Sequence, residues 1–432
     1  MIIVPDAWSV VRLGDLLEKQ DNNRLLQQGW SPKCVPHPAE DDNTWAVLKT
    51  TAIQPGWFDP RQNKELPTDL RARPLIEVRS GDLLMTCAGP RSRCGIPALV
   101  RSTRPKLMMS GKMYRFRPIA DLDASFLEFW LLSQEAQVRI DAMKTGISDS
   151  GLNLTQDRFL ELPVPVPPRT EQHKIVEILE DHLSRLDTSA TLLDDSRNKF
   201  AAVTASLSTD IVNQARRSSV DHLLGDHAYS VSYGTSAKTG SLAAETDVPV
   251  LRMGNIREGE LDWKSLKYLA AEHPDINKAS LVDGDLLFNR TNSAELVGKS
   301  AVFHGERSAA LASYLIRVRF DERLLADWAN IVINSPYGRS YIRSVLSQQV
   351  GQANVNGTKL RAFPIPVPPL KSQQADLVRF FVIREALNRL DRDRARIVAR
   401  GVSLRRAVLA AAFSGTLTGQ STDAEVIEEL AQ

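Results

Sequence analysis

The chain holds fragments of several catalytic signatures and completes none of them. Gly298-Lys-Ser300 has the ending of a phosphate-cradling loop, but position 293, where the shaping glycine belongs, is serine. Gly234-Thr-Ser-Ala-Lys238 begins like a nucleophile elbow and lacks its final glycine. There is no Asn-Pro-Pro-aromatic tetrapeptide for amino methylation and no HExxH for zinc. His37, His173, His182, His222, His227, His273 and His304 are scattered, and Cys34, Cys87 and Cys94 lack CxxC spacing, so a reducing compartment and no metal cage are expected. The chain is expected not to be an enzyme by itself and to bind no cofactor.

What the residues offer instead is recognition chemistry. In Gly89-Pro-Arg-Ser-Arg-Cys-Gly95 the glycines let backbone approach a duplex, while Arg91 and Arg93 hold phosphate or pair bidentately with guanine. The counterpart loop is read as Asn289-Arg290-Thr291-Asn292, since an asparagine amide matches adenine. Further candidates are Lys49, Thr50, Lys112 and Tyr114, then Tyr233, Thr235, Ser236, Lys238, Arg252 and Asn255. Tyr233-Gly-Thr-Ser-Ala-Lys-Thr-Gly240 suits phosphate contact through amides and hydroxyls. For each, an ordinary exposed turn is the alternative. Trp8, Trp45, Trp130, Trp263 and Trp328 are assigned to packing.

The net charge of +2 over 432 residues is nearly neutral, yet it is polarised. Between Arg61 and Arg117 there are thirteen Lys/Arg against four Asp/Glu, and a weaker excess spans Leu286–Arg319, as a duplex-facing surface requires. At 43% apolar the chain can bury real cores, and no run reaches the ~18 apolar residues of a membrane span. A cytoplasmic protein is expected.

These candidates sit in a duplicated frame. Pro163–Pro168 reads PVPVPP and Pro364–Pro369 reads PIPVPP, each followed at the same gap by a glutamine, Gln172 and Gln373. Gly81-Asp-Leu-Leu84 then Gly95 answers Gly284-Asp-Leu-Leu287 then Gly298; Arg115-Phe-Arg117 answers Arg317-Val-Arg319, Asn153 answers Asn354, and Leu13-Gly-Asp15 answers Leu224-Gly-Asp226. A period near 200 residues means two domains with connectors, not a solenoid.

After each proline run, apolar residues step by three and four. Leu179, Leu183, Leu186, Leu193, Phe200 and Leu207 form one stripe; Phe380, Ile383, Leu387, Leu390, Ile397 and Leu404 form the other. The stripes are expected to pair antiparallel, as spacers roughly 65 Å long at 1.5 Å per residue. The proline runs are expected to be stiff, extended connectors. The preceding segments read as mixed: Trp45–Leu48, Ile96–Val100, Val248–Leu251 and Leu315–Val318 as strands, Ala124–Val138 and Leu324–Val332 as helices. The fold class is thus two α/β (α+β) domains in pseudo-two-fold duplication, separated by two long antiparallel coiled-coil helices. The boundaries are 1–162 and 217–363 for the domains, 163–216 and 364–415 for prolines plus helix, and 416–432 for an acidic tail that closes against the N-terminus.

With LPVPVPPRTEQHKIVEIL, FPIPVPPLKSQQADLVRFF, the paired GDLL segments, TGISDSGLNLTQDRF, QANVNGTKLRAF and LAAAFSGTLT in this order, the whole chain resembles the specificity subunit of type I restriction-modification systems. That resemblance implies two target-recognition domains, each reading one half of a split double-stranded DNA site, and helices that set the gap and dock two methyltransferase subunits. It implies that restriction subunits join, and that S-adenosylmethionine sits on the methyltransferase. Ser372-Gln373 departs from the Glu-Gln pattern of Glu171-Gln172, which bears on how the second helix is capped. A self-contained methyltransferase or endonuclease, and a helical scaffold without DNA function, are the competing classes.

Overall fold

Both proline runs are strands. In the computed structural model, which describes residues 4–418 apart from 22, 243, 294, 295, 350 and 351, Pro163–Val166 pairs antiparallel with Ser9–Arg12, and Pro364–Pro366 with Asp221–Leu223. Leu13 N donates to Leu162 O, continuing the register Val11↔Val164 and Ser9↔Val166, so hydrogen bonds are exchanged at positions 162, 164 and 166. Pro163 and Pro165 occupy the alternate positions, where an N–H would point away from the partner and its absence costs nothing. Leu224 N donates to Phe363 O in the second copy, which puts Pro364 and Pro366 in the same phase. The connectors expected to be stiff and extended are extended as ladder strands, and the P-x-P-x alternation is the imprint of that ladder.

The chain divides into two compact units, residues 1–193 with 396–432, and residues 194–395. In the first, Gln27–Gln28, Met113–Phe116, Leu83–Thr86 and Pro97–Leu99 form an antiparallel four-stranded sheet in that spatial order. Ala46–Leu48 forms a second sheet, parallel to Leu107–Met108 and antiparallel to Asn63–Glu65. In the second unit the four-stranded order is Ala228–Tyr233, Leu315–Phe320, Asp285–Asn289, Ser300–Phe303, and Val248–Leu251 lies between Lys267–Leu269 and Ala310–Leu311. Because strand side chains alternate faces, the Leu-Leu of each GDLL divides between two cores. Leu83 and Leu286 join the cores containing the helices, whereas Leu84 and Leu287 join those under the smaller sheets.

The helix expected over Ala124–Val138 is two helices, and the one expected over Leu324–Val332 is followed by a second. Ala124–Leu132 and Gln134–Met143 break at Ser133, and Ala326–Asn334 and Pro336–Val345 break at Ser335. Both serines are N-caps, accepting from Ala136 N and Gly338 N. Gly95 and Gly298 have φ of +87° and +83°, and an added Cβ would lie 2.6 Å from Ile140 and 2.7 Å from Ile342 on the second helix of each pair. These glycines admit a helix, not a duplex.

The long helices are Arg169–Ser218 and Leu370–Phe413. Within the first unit Ile175, Leu179 and Leu183 share a core with Val408, Leu409, Ala412 and Phe413; within the second, Leu207, Ile211, Val212 and Ala215 share one with Leu377 and Phe380. Early residues of one helix thus meet late residues of the other, an antiparallel relation inside each unit. Leu186 and Leu404 pack at the edge of the first core and Ile383 at the edge of the second, while Leu193, Phe200 and Leu387 are half-buried. Leu390 and Ile397 are not in the seam: they are 51% and 55% exposed, and Asp391, Arg394, Val398 and Gly401 hold the half-buried positions. A straight helix of 3.6 residues per turn drifts from a strict 3.5 stripe, so the apolar residues leave the packing face there.

Gly415, at φ +77°, ends the second helix against Pro5, and Leu417 is fully buried in the first core. Residues 423–430, the acidic part of the expected tail, lie outside the described residues.

Candidate nucleic-acid interface

Most arginines of the basic segments are committed inside the fold. Asp82, fully buried, pairs with Arg117 at 2.6 Å, and Asp285 with Arg319 at 2.6 Å, so GDLL and Arg-x-Arg are halves of one buried ion pair in each copy. Arg115 and Arg317 donate to the carbonyls of Glu77 and Leu75, and of Ser280 and Lys278, and burial pulls both guanidinium pKa values down. Arg101 meets the buried Glu128 at 2.8 Å. Arg93 donates to Thr50 O, Ile53 O and Gln54 Oε1, and Arg91 is held by Asp141 at 2.7 Å and Asp149 at 3.0 Å. The Gly89–Gly95 loop is therefore tied to its own unit, and Arg93 is a structural residue.

Four other sequence candidates are also structural. Tyr114 is buried with its hydroxyl donating to Leu154 O, and burial pushes its phenol up. Thr235 is buried and donates to Asp275, and Asn255 donates to Asp262 O and Lys264 O while accepting from Arg252 N. Asn289 is buried and donates to Leu296 O, as Thr86 at the matching strand position donates to Arg93 O. Asn289–Asn292 hence corresponds to Thr86–Gly89, three residues before the loop taken as its counterpart. Sequence alone gave no signal for this, because a buried amide and a base-reading amide look alike. Arg290 stacks over Tyr233 at 4.8 Å, Tyr233 accepts from Gly357 N, and Thr291 accepts from Asn354 Nδ2. Asn292 is placed only as backbone of the strand Thr291–Asn292.

A different surface gathers four lysines. In the first unit an open cleft of about 400 Å³ is lined by Ser31, Lys33, Lys49, Thr50, Lys64 and Lys112, with Cys34 and Ser110 among the remaining walls. The strand Ala46–Leu48 and the 3-10 turn Thr50–Ala52 carry Lys49 and Thr50; the neighbouring strand carries Lys64 and the Ser110–Lys112 turn faces them. Among the described residues none of the four lysines makes a salt bridge, whereas Arg61, Arg91, Arg101 and Arg117 are paired. Lysine ammonium groups converging on a groove repel one another unless anions lie between them, which is the demand a phosphate backbone meets. Lys49, Thr50 and Lys112 were legible as candidates; Lys33 and Lys64 were not, because only strand pairing brings them there. Among the described residues no group of three or more His, Cys, Asp or Glu is placed to hold a metal ion.

Residues 83–194 match the family model described as the type I restriction modification DNA specificity domain. The EcoKI specificity subunit of Escherichia coli K12 is 24% identical over 88% of this chain and 84% of its own length. The EcoEI specificity subunit of Escherichia coli is 34% identical over 45% of this chain, a match spanning only 32% of that relative. The chain is thus similar to type I specificity subunits, through a matched specificity domain at residues 83–194 and a weaker likeness along most of its length. A solved chain described as showing complex assembly and conformational transition of the type I R-M system has TM-score 0.69 and 17% identity, covering 96% of this chain and 99% of that one, which supports the shared fold. In this specificity-subunit frame Gln172 and Gln373 have a common task. Each is buried, accepts from the backbone N of Asp123 or Leu325, and donates to two carbonyls, locking the start of a long helix to the helix pair of its unit. Glu171 accepts from Trp8 Nε1 and Thr418 Oγ1, tying both ends of the chain to the first long helix. Gln373 keeps all three of its bonds beside Ser372, so the departure from Glu-Gln leaves the start of the second long helix held.

Proposed function

We propose that this chain lends DNA sequence specificity to a separate adenine methyltransferase, each domain reading one half of a bipartite, non-palindromic site. The observation that supports the reading is the pair of like-folded units, one with a cleft lined by four lysines, on a chain whose residues 83–194 match a DNA specificity domain. Two domains of one fold and different surface residues read different half-sites, where a homodimeric reader would need a palindrome. The paired helices set the spacing and dock two methyltransferase subunits, which hold S-adenosylmethionine; restriction subunits join the same assembly. This chain binds no cofactor and contributes recognition, not bond making. No helix of the described residues is long and apolar enough to cross a membrane, and a protein with this task works where the genome is, in the cytoplasm.

The test is an exchange of residues 13–162 for the corresponding domain of another specificity subunit, retaining the strand Ser9–Arg12 and its partner. A genomic methylation map should then show one half of the modified site altered and the other half kept. A site unchanged in both halves would remove the assignment.

A further inference from the structure

The two units can be matched residue by residue from their ladders. Gly29 and Gly234 lie against equivalent backbone, with an added Cβ 2.3 Å from Ser110 O and 2.1 Å from Leu311 O, and the next residues, Trp30 and Thr235, donate to Met109 O and Leu311 O. Farther along, Val35 N donates to Glu65 O as Gly240 N donates to Tyr268 O, so the intervening residues correspond one to one and Lys33 matches Lys238. Lys64 pairs with Val47 as Lys267 pairs with Val250, and Val47 and Val250 each sit beside the parallel strand, opposite Met108 and Ala310. Lys64 therefore matches Lys267, and Lys49 and Thr50 match Arg252 and Met253 at the start of the same 3-10 turn. Met113 opposite Thr86 matches Leu315 opposite Asn289, which makes Tyr314 the counterpart of Lys112.

Three positions of the first unit's cleft thus keep a cation in the second copy, Lys33/Lys238, Lys49/Arg252 and Lys64/Lys267, Arg252 already giving one guanidinium N–H to Ser265 O, while two change character, Thr50/Met253 and Lys112/Tyr314. The backbone of duplex DNA presents the same phosphates whatever its sequence, whereas base edges differ from site to site. Tyr314 is 51% exposed and Met253 36%, so both side chains reach solvent. Resting on the DNA-reading function above, we propose that the matched cations grip phosphate in both units, and that Thr50 and Lys112 in one and Met253 and Tyr314 in the other face the bases and set which half-site each reads.

The test uses the full chain and a duplex pool with a randomised centre, with selected sequences and salt dependence as readouts. Thr50→Met with Lys112→Tyr should change one half of the selected site, and Met253→Thr with Tyr314→Lys the other half. Lys64→Ala and Lys267→Ala should leave the selected sequence intact, weaken all duplexes alike and reduce the log–log salt slope by about one each. If the double exchanges leave both halves unchanged while Lys112→Tyr alone lowers the slope, Lys112 is a phosphate contact and the proposal is wrong. If Lys64→Ala changes the selected bases, it is wrong in the other direction. Unaltered half-sites beside a clear wild-type site would sink this assignment alone; absence of any selected site for the wild-type chain would sink the DNA-reading function and this assignment with it.

Discussion

Gln172 and Gln373 show how much one side chain settles. Each amide makes three hydrogen bonds in a site without water access, so Gln172→Ala leaves the Asp123 amide and the carbonyls of Asp121 and Pro167 unpaired. We expect a loss of roughly 2–3 kcal/mol in the denaturant unfolding of the chain. Arg117→Ala should cost a similar amount, about 2–3 kcal/mol, because the buried Asp82 carboxylate loses its nearest partner and keeps only Arg115 at 3.9 Å and the Arg79 amide. Arg91→Ala, at an exposed double ion pair, should leave the melting curve where it was. The thiols give a probe of the cleft that needs no mutation. Burial pushes Cys87 up to about 12 and raises Cys94 as well. Cys34, half-buried in the cleft, is raised by desolvation against the pull of Lys64. At pH 8 the native chain should therefore be alkylated at Cys34 far faster than at the other two. Duplex DNA should slow that reaction, and an unchanged rate would place the duplex elsewhere.

At the scale of elements, the long helices are buried where a core of their unit covers them and largely exposed in between. Leu207→Asp puts a charge into the second core and should destabilise that unit by at least about 3 kcal/mol. Leu390→Asp, which the apolar stripe alone would class as equally severe, should be silent in thermal melting because the side chain already faces solvent. Equal losses for both variants would mean the seam follows the stripe after all.

For the whole molecule, the order of segments is circular. The stretch after the first long helix opens the second domain, and the stretch after the second helix returns to the start of the first through Leu417 against the core and Thr418 on Glu171. This arrangement gives two like units from one chain while letting their surfaces diverge, the condition for an asymmetric site. A domain exchange should respect these ties: keeping Trp8, Glu171 and the strand Ser9–Arg12 leaves the closure intact and confines any change to one half of the site. Melting of the exchanged chain near the parent temperature, together with an altered half-site, is the expected pair of results.

The duplication, both long helices and the strands near Val248 and Leu315 were legible because they rest on local pattern: periodicity, proline phase and turn glycines. The domain identity of GDLL and Arg-x-Arg was visible as repetition, but their partnership was not, since the residues lie about 35 positions apart and meet only across adjacent strands. The same limit explains the site. Charge density along the chain marked residues 61–117, yet most of its arginines turn inward to carboxylates and carbonyls. Only the tertiary structure, by pairing Val47 with Lys64 and bringing the turn at Lys112 against Lys49, decided which cations remain free to meet an anionic partner.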